Sequence, residues 1–472
     1  MERPDPHAQD SAAPRLEALA TEPLMTREFD QRPAVVYERL RNRYGPVAPV
    51  TVHGVPMWLV LGYQEVFSVL RDDQLWRKDP ANWRALREGR VPPDWPMLPG
   101  YQVSHLLLKD GEDRAAVRAA LDAALRPYQD PGQPQAAELE TAVARHVDEL
   151  ITVFADGSGS GWVDLCAQFS RPLPLLVINQ MFGFPVEQGD DVFMDAWRMV
   201  DSGPDAAAAI ERLLAATTQL ARHKKEHPGD DLTTRLIEAA PSLPPEQIGL
   251  ELYSVLVISD QINHAIANSV LEVLTANPQA RASLSVGTYH ELVNRVLIAS
   301  PTWTNGTHRY PVTDTVLGGY RIAAGDAVLP SIAAAHADPE FRKGLGDDAV
   351  ASSRGHLAWG AGAHRCPAQE LAEMVTVTAI SRLFDRCDLE LGLPPDQIPW
   401  RSPYYVKGVK ALPVRFRIRQ PERPAAAAAA PAYPPPAAGE APGAAGGAPP
   451  RAARPPRSRL WRFLAGLRGG GR

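Results

Sequence analysis

Cys366 is one of three cysteines in 472 residues, and its setting, HLAWGAGAHRCPAQEL from His356 to Leu371, is one that could make it a metal ligand. Pro367 stands where proline is favoured as a first helical residue, which puts Cys366 at the N-cap of the helix that follows. Behind it Leu371, Met374, Val375, Ala379, Ile380, Leu383 and Phe384 recur at three-and-four spacing, the period of a helix with one buried face. A thiol at the positive end of such a helix has its thiolate stabilised by the dipole and by free amides, here those of Ala368 and Gln369. Gly360 and Gly362 would let the backbone approach a flat ligand that side chains would obstruct. A lone cysteine is more often a small buried hydrophobe. A Cys366–His364 nucleophile pair is the weaker chemistry, because both lie in one loop without an orienting third group.

A second set of polar groups sits where packing alone would not put it. From Ser242 to Asn277 roughly thirty residues read as one apolar helix, opened by Ser242, Pro244, Pro245 and Glu246 and closed by Asn277-Pro278. It is longer than the usual globular helix and must cross a core. Asp260, Gln261, Asn263 and His264 lie in its middle. A buried aspartate there needs a partner or must neutralise, while His264 is more often a satisfied core or channel-facing histidine than a ligand. Arg114 and Arg118 are one turn apart on a helix expected over about 110–125, ordinarily a solvated face with a carboxylate partner.

The elements that must position these groups are mostly helical. Apolar periodicity predicts helices over 33–44, 63–71, 136–154, 173–181 and 206–225, and alternation predicts a hairpin of Val47–Val52 with Met57–Leu61 about His53-Gly54. GSGSG at 157–161 lacks the third glycine and following helix of a dinucleotide fingerprint and reads as a loop. Residues 1–30 are polar and proline-containing and are expected to be poorly ordered. With 45% hydrophobic and 22% charged residues, the chain can bury a large core. Three scattered cysteines exclude a disulfide framework and a closed zinc site. The N-terminus is no signal peptide and no long apolar run occurs, so a cytoplasmic protein is expected. The net charge of -6 conceals a division: from Pro421 onward eight arginines face only Glu422 and Glu440, a net +6, which leaves -12 on residues 1–420. An acidic body argues against nucleic-acid binding.

Residues 31–420 resemble a bacterial cytochrome P450, a mainly α fold with small β-sheets. The Cys366 loop is similar to that family's F-x-x-G-x-H-x-C-x-G, with Gly362 and His364 in place, Trp359 for the Phe and Ala368 for the last Gly. YGPVAPV…GVPMWLVLGYQEV near the start, and RYPVTDTVLGG from Arg309 followed by YRIAAGDAV, carry the resemblance further. It implies haem b with Cys366 as axial ligand to the iron, and Arg114, Arg118, Arg309 and His364 on the propionates. Arg118 matches the Arg of the family's H-x-x-x-R, and Arg114 stands at its His. Asp260 falls at the acid position and Gln261 at the threonine position of the oxygen-side relay, which implies that these two handle protons and water. The implied activity is monooxygenation of an unknown small molecule. Its electrons would come from a ferredoxin-type donor, since no flavin or nicotinamide fingerprint is present.

The following helix departs from the family's E-x-x-R, because in VNRVLIASP Asn294 and Leu297 stand at the Glu and Arg positions. Glu291 and Arg295, four apart, can pair out of register. The later P-x-R-F segment is missing too, so the brace on the cysteine loop is expected to be lost. With WRSPYYVKGVKALPVRF near the end, this is similar to a divergent actinomycete group of P450s. Members of that group belong to gene sets with a sensor kinase, a Roadblock-type protein and a small Ras-like GTPase. That resemblance implies an alternative: a haem-binding accessory or sensor subunit of a small-GTPase complex, without turnover.

Residues 421–452 read as an Ala/Pro/Gly linker that cannot form a core. In residues 453–472, Leu460, Trp461, Phe463, Leu464 and Leu467 stand among arginines. The segment is either a disordered basic end or a short amphipathic helix that touches anionic lipid, a peripheral membrane contact, or an acidic partner. Gly466 and the short length make a free helix marginal.

Overall fold

The computed structural model describes residues 14–201, 204–275, 278–419 and 459–467. Strand β1 (Glu22–Pro23) runs parallel to β2 (Val47–Val52), which pairs antiparallel with β3 (Val55–Val60) from Val47↔Val60 to Val52↔Val55. His53 (φ 47°) and Gly54 (φ 80°) form the turn; two left-handed residues give a twist that matches the flanking strands. Residues 14–31, expected to be poorly ordered, are instead packed. Leu16, Leu24 and Phe29 are buried, and Thr26 Oγ1 caps the helix Arg27–Gln31 by accepting from the Phe29 amide at 3.1 Å. Their polar composition hid three apolar anchors; residues 1–13 lie outside the described residues.

Further along, β4 (Trp76–Arg77) will pair with a distant strand, and β5 (Ser160–Asp164) takes in Ser160 and Gly161, which were expected in a loop. They pair with Arg417 and Phe416, and the Phe416 ring lies 3.1 Å from where a Cβ on Gly161 would sit. The partner of β4 is β6 (Tyr310–Pro311). After Arg309 a hairpin joins β7 (Thr315–Leu317) to β8 (Tyr320–Ile322), turned at Gly318 and Gly319. Its continuation, β9 (Val328–Pro330), leaves the hairpin to run parallel to β3. Arg309 bridges to Val328 and is thereby tied to the first sheet. The last sheet orders β10 (Cys387–Leu391), β11 (Pro413–Ile418) and β5.

The body is helical: α1 (Pro33–Tyr44), α2 (Tyr63–Arg71), α3 (Gly111–Gln129), α4 (Pro134–Ala155), α5 (Pro172–Phe182), α6 (Val186–Asp201) and α7 (Ala206–Glu226) precede the centre. The long central helix is two helices, α8 (Pro245–Ile258) and α9 (Asp260–Leu274), broken at Ser259. There Ile262 N–H reaches the Ser259 carbonyl one residue early, and Ser259 Oγ donates to the Leu256 carbonyl at 2.7 Å. Such local departures from the α ladder bend a helix and free backbone groups. The helix starts at Pro245 with Pro244 before it rather than at Ser242; the expected stop at Asn277 lies outside the described residues. The chain continues through α10 (Tyr289–Ala299) to α11 (Gln369–Arg386), and α12 (Arg459–Gly466) ends the described residues but for Leu467. Helices α3 to α11 share one apolar core in which Phe154, Phe169, Phe182 and Phe193 are fully buried. No helix among the described residues is long and apolar enough to cross a membrane.

Candidate functional site

Three elements converge on the loop that carries Cys366: the loop itself, the first turns of α3, and, at His364, the segment from His308 to β6. The helix after the cysteine begins at Gln369 with Ala368 before it, not at Cys366 as expected. The Cys366 amide turns back to the Trp359 carbonyl at 2.8 Å, which bends the loop and holds the thiol ahead of the helix. Burial pushes the Cys366 thiol up, while the Ala368 amide and the Arg118 charge pull the other way. The expected amide stabilisation is therefore present but outweighed, and a cation at the sulfur would reverse the balance.

Gly360 and Gly362 have φ of 72° and 65°, a region that favours glycine. At Gly362 the close neighbour is α2, not a ligand face: a Cβ would sit 2.8 Å from the Arg71 Cα and 2.9 Å from the Leu70 carbonyl. Its absence docks the loop on that helix.

The cationic residues divide into two groups. Arg114 Nε donates to His364 Nδ1 at 3.2 Å, which puts the imidazole proton on Nε2. Burial and the surrounding cations hold His364 far below the usual histidine range, so it is neutral. Its Nε2–H has no partner among the described residues, and neither do Nε and Nη1 of Arg309, a residue only 2% exposed, nor Nε1 of Trp359. Arg118 has a different post. Its Nε meets both carboxylate oxygens of Asp122 at 2.7 and 2.9 Å, and its Nη1 donates to the carbonyls of Ala363 and Arg365 at 3.3 and 2.6 Å. It clamps the cysteine loop to α3.

Sequence reasoning missed Lys78 and Asp110. Lys78 is 6% exposed; burial and the charges of Arg309 and Arg114 hold its pKa well below the usual lysine value. Burial likewise brings Arg309 down to about 10. The Asp110 charge offsets part of this, raising both Lys78 and Arg309, but its carboxylate accepts the Lys78 and Asp79 amides at 2.7 to 3.0 Å and stands 3.9 Å from His364 Nε2, beyond hydrogen-bond reach. The cluster has buried donors without acceptors, an arrangement that costs stability unless an anion arrives. Haem b fits it: two carboxylates would meet Arg309 and His364, and Cys366 offers a sulfur from the same loop.

A further omission is His336. Its Nε2 accepts the Leu357 amide at 2.8 Å and its Nδ1 donates to the Ile298 carbonyl at 3.1 Å, so it ties the end of α10 to the start of the cysteine loop. Burial brings it down to about 3, which keeps it neutral as that pattern requires. A lone histidine in an apolar run, IAAAH, was the available signal. Brace contacts beside it replace the expected Glu291–Arg295 pairing. Glu291 meets Arg354 at 2.6 Å, Arg295 donates to Gln279, and Asn294 Nδ2 donates to the carbonyls of Ala351 and Ser353 at 2.7 and 3.3 Å.

Asp260 opens α9 at the break. Its Oδ1 accepts from Asn263 Nδ2 at 2.9 Å, and its Oδ2 lies 3.2 Å from His264 Nε2. Burial works against the Asp260 carboxylate, yet the His264 hydrogen bond and charge bring it down to about 2. Ser170 Oγ extends the chain to Asn263 Oδ1 at 2.7 Å. A Cβ on Gly408 would overlap His264 Nδ1, so the loop needs glycine there to close on the ring. Gln261 shares the break, and its buried Oε1 has no partner among the described residues.

No family model matches the chain. It is 31% identical to cytochrome P450-SU2 of Streptomyces griseolus over 405 residues, which cover 82% of this chain and 94% of that one. It is 30% identical to cytochrome P450 107B1 of Saccharopolyspora erythraea over 397 residues, 80% and 94% of the two chains. Among solved structures, CYP154A1 from Streptomyces coelicolor A3(2) matches with a TM-score of 0.70 and 27% identity over 84% of this chain and 99% of that one. CYP154C4 from Streptomyces sp. W2061 gives 0.74 at 24% identity, over 84% and 98%.

Proposed function

This chain belongs to the cytochrome P450 family, and on that footing we propose that it is a haem-thiolate monooxygenase of an unknown small molecule, supplied with electrons by a ferredoxin-type donor. Haem b is the cofactor of that family. When bound it supplies oxygen activation, which an axial thiolate promotes by donating electron density. The observation that carries the proposal is the set of buried donors at Arg309 and His364, which lack acceptors among the described residues, beside a cysteine loop bent at Cys366.

In this proposal Cys366 would hold the haem iron through its thiolate. Arg309 and His364 Nε2–H hold the carboxylates, Arg114 fixes the His364 tautomer, and Arg118 sets the height of the loop through the Ala363 and Arg365 carbonyls. Asp260 holds its proton partner His264 at the break between α8 and α9, and Gln261 takes the place of a hydroxyl as the polar group there. The protein is proposed to be cytoplasmic. The relative 2-hydroxy-5-methyl-1-naphthoate 7-hydroxylase of Streptomyces carzinostaticus, 27% identical over 81% of this chain and 94% of its own, is named for hydroxylating an aromatic acid. A small organic molecule is accordingly the substrate class proposed here.

The reduced, carbon-monoxide-bound absorption spectrum tests ligation. The wild type is expected to show the red-shifted Soret band of a thiolate ligand, and Cys366→Ala to lose it. Haem bound with unchanged colour in that variant would overturn the proposal. Gln261 at the threonine position, and Asn294 in place of the family's E-x-x-R glutamate, favour a second reading. In it the protein is a haem-binding sensor subunit of a small-GTPase and Roadblock-type complex without turnover. Substrate-dependent oxidation with ferredoxin and reductant decides for the first; ligand binding with GTPase association alone decides for the second.

A further inference from the structure

The C-terminal helix α12 is folded onto the body. Leu460 and Leu464, one turn apart, are 5% and 0% exposed, and Phe463 meets Trp197 of α6 edge-on at 5.4 Å between ring centroids. Leu467 continues the same stripe at the margin of the core. The docking face is made by α4 and α6, and Trp197 is itself backed by the Arg171 guanidinium at 4.6 Å. The ends match electrostatically. Asp190 Oδ2 accepts the Leu460 amide at 3.3 Å, a first-turn donor with no partner inside its own helix, and Asp191 stands 3.8 Å from Arg459.

An eight-residue helix is unstable alone in water, so its helicity depends on this contact. The intervening 39 residues, 420–458, keep the tail at an effective concentration on the order of millimolar. The face turned outward carries Arg462, and the chain after Glu440 holds seven arginines and no acid. Leu460, Phe463 and Leu464 cannot be buried against Trp197 and in a bilayer at once, and the acidic body repels anionic surfaces by itself.

We propose that α12 is a self-latch: docked between α4 and α6, it withholds from anionic membranes the apolar stripe and arginines that bind them once it is released. The proposal is independent of the haem chemistry.

The test weakens the cradle and leaves the tail intact. Full-length wild type, Trp197→Ala, the milder surface variant Asp191→Arg, and a chain lacking residues 451–472 are sedimented with phosphatidylcholine vesicles containing about one-third phosphatidylglycerol, at several salt concentrations. Trp197→Ala should bind about tenfold more tightly than wild type. Asp191→Arg should shift in the same direction by less, and the truncated chain should not bind. Trypsin should cut at Arg459 and Arg462 slowly in wild type and quickly in both variants. Cradle variants that free the tail to trypsin yet bind vesicles no better than wild type overturn the proposal. So does a concentration-dependent dimer that disappears on truncation, which would place the docking between two copies.

Discussion

Arg309 is a buried charge and Asp260 a half-buried one, and they differ in what meets them. Around Arg309, Lys78, Arg114 and His364 the folded chain supplies an excess of donors, and the Asp110 carboxylate, which offsets part of their charge, takes its hydrogen bonds from the Lys78 and Asp79 amides. At the break between α8 and α9 the chain supplies both sides: Asp260 has each oxygen engaged, and Asn263 and Ser170 pass the contact into α5's approach. The first region is incomplete without an anion. The second pairs its charge with its own residues, and leaves Gln261 Oε1 and His264 Nδ1 as its buried atoms without a partner among the described residues. Incomplete polar clusters weaken a fold, whereas paired ones fix a geometry; the contrast separates a candidate ligand site from a group paired within the chain.

The largest expected effect divides the two states of the protein. Arg309→Ala should lower haem affinity by about a hundredfold, the worth of charged hydrogen bonds to a carboxylate. The haem-free form should unfold at the same temperature or higher, since an unpaired buried charge has gone. Haem transfer to an acceptor apoprotein and thermal unfolding measure the pair. Equal destabilisation of both forms would mean that Arg309 serves the fold, and the contrast would fail.

Asp260→Ala should behave in the opposite way, costing about 2 kcal/mol in urea unfolding with or without haem and leaving haem affinity nearly unchanged. A large loss of affinity would place Asp260 in the ligand site.

Acid should reach the histidines next. His336 and His308 are brought from 6.5 to about 3 by burial, so between those values the unfolded chain binds protons that the native one does not. Stability is therefore intact above about 6.5 and falls as the pH drops toward 3. His336→Gln should flatten part of that fall in a series of urea titrations, because the tie from Ile298 to Leu357 no longer depends on a neutral ring. An unchanged slope would count against it.

The smallest effect belongs to the Glu291–Arg354 pair. Arg354 is exposed and Glu291 half-buried, so Glu291→Gln should cost about 1 kcal/mol or less. Asn294→Ala, which strips a buried donor from two carbonyls, should cost more.

Much of the frame was legible from local pattern. The β2–β3 hairpin follows from alternation about His53-Gly54, and most helices start and stop within a few residues of where apolar periodicity puts them, because both signals are carried by neighbouring residues. The site was legible only in part. Arg114, Arg309 and His364 lie together at the loop that carries Cys366, from positions far apart in the chain. Lys78 and Asp110 carried no pattern of their own, and the contacts made by Arg118 with the Ala363 and Arg365 carbonyls span about 245 residues. Residues 14–31 escaped because Leu16, Leu24 and Phe29 are too few to show a period. At the tail, composition left two outcomes open; burial against Trp197 favoured the helix.

By itself the sequence determined the helices, the hairpins, the cysteine loop and the types of charge available, since these depend on spacing within one turn or one strand pair. Only the tertiary structure decided which charges were left without partners and which were closed by Asn263, Asp122 or a backbone carbonyl. Pairing is a property of distance in space, and a buried donor becomes a binding group only when folding has brought every other acceptor somewhere else.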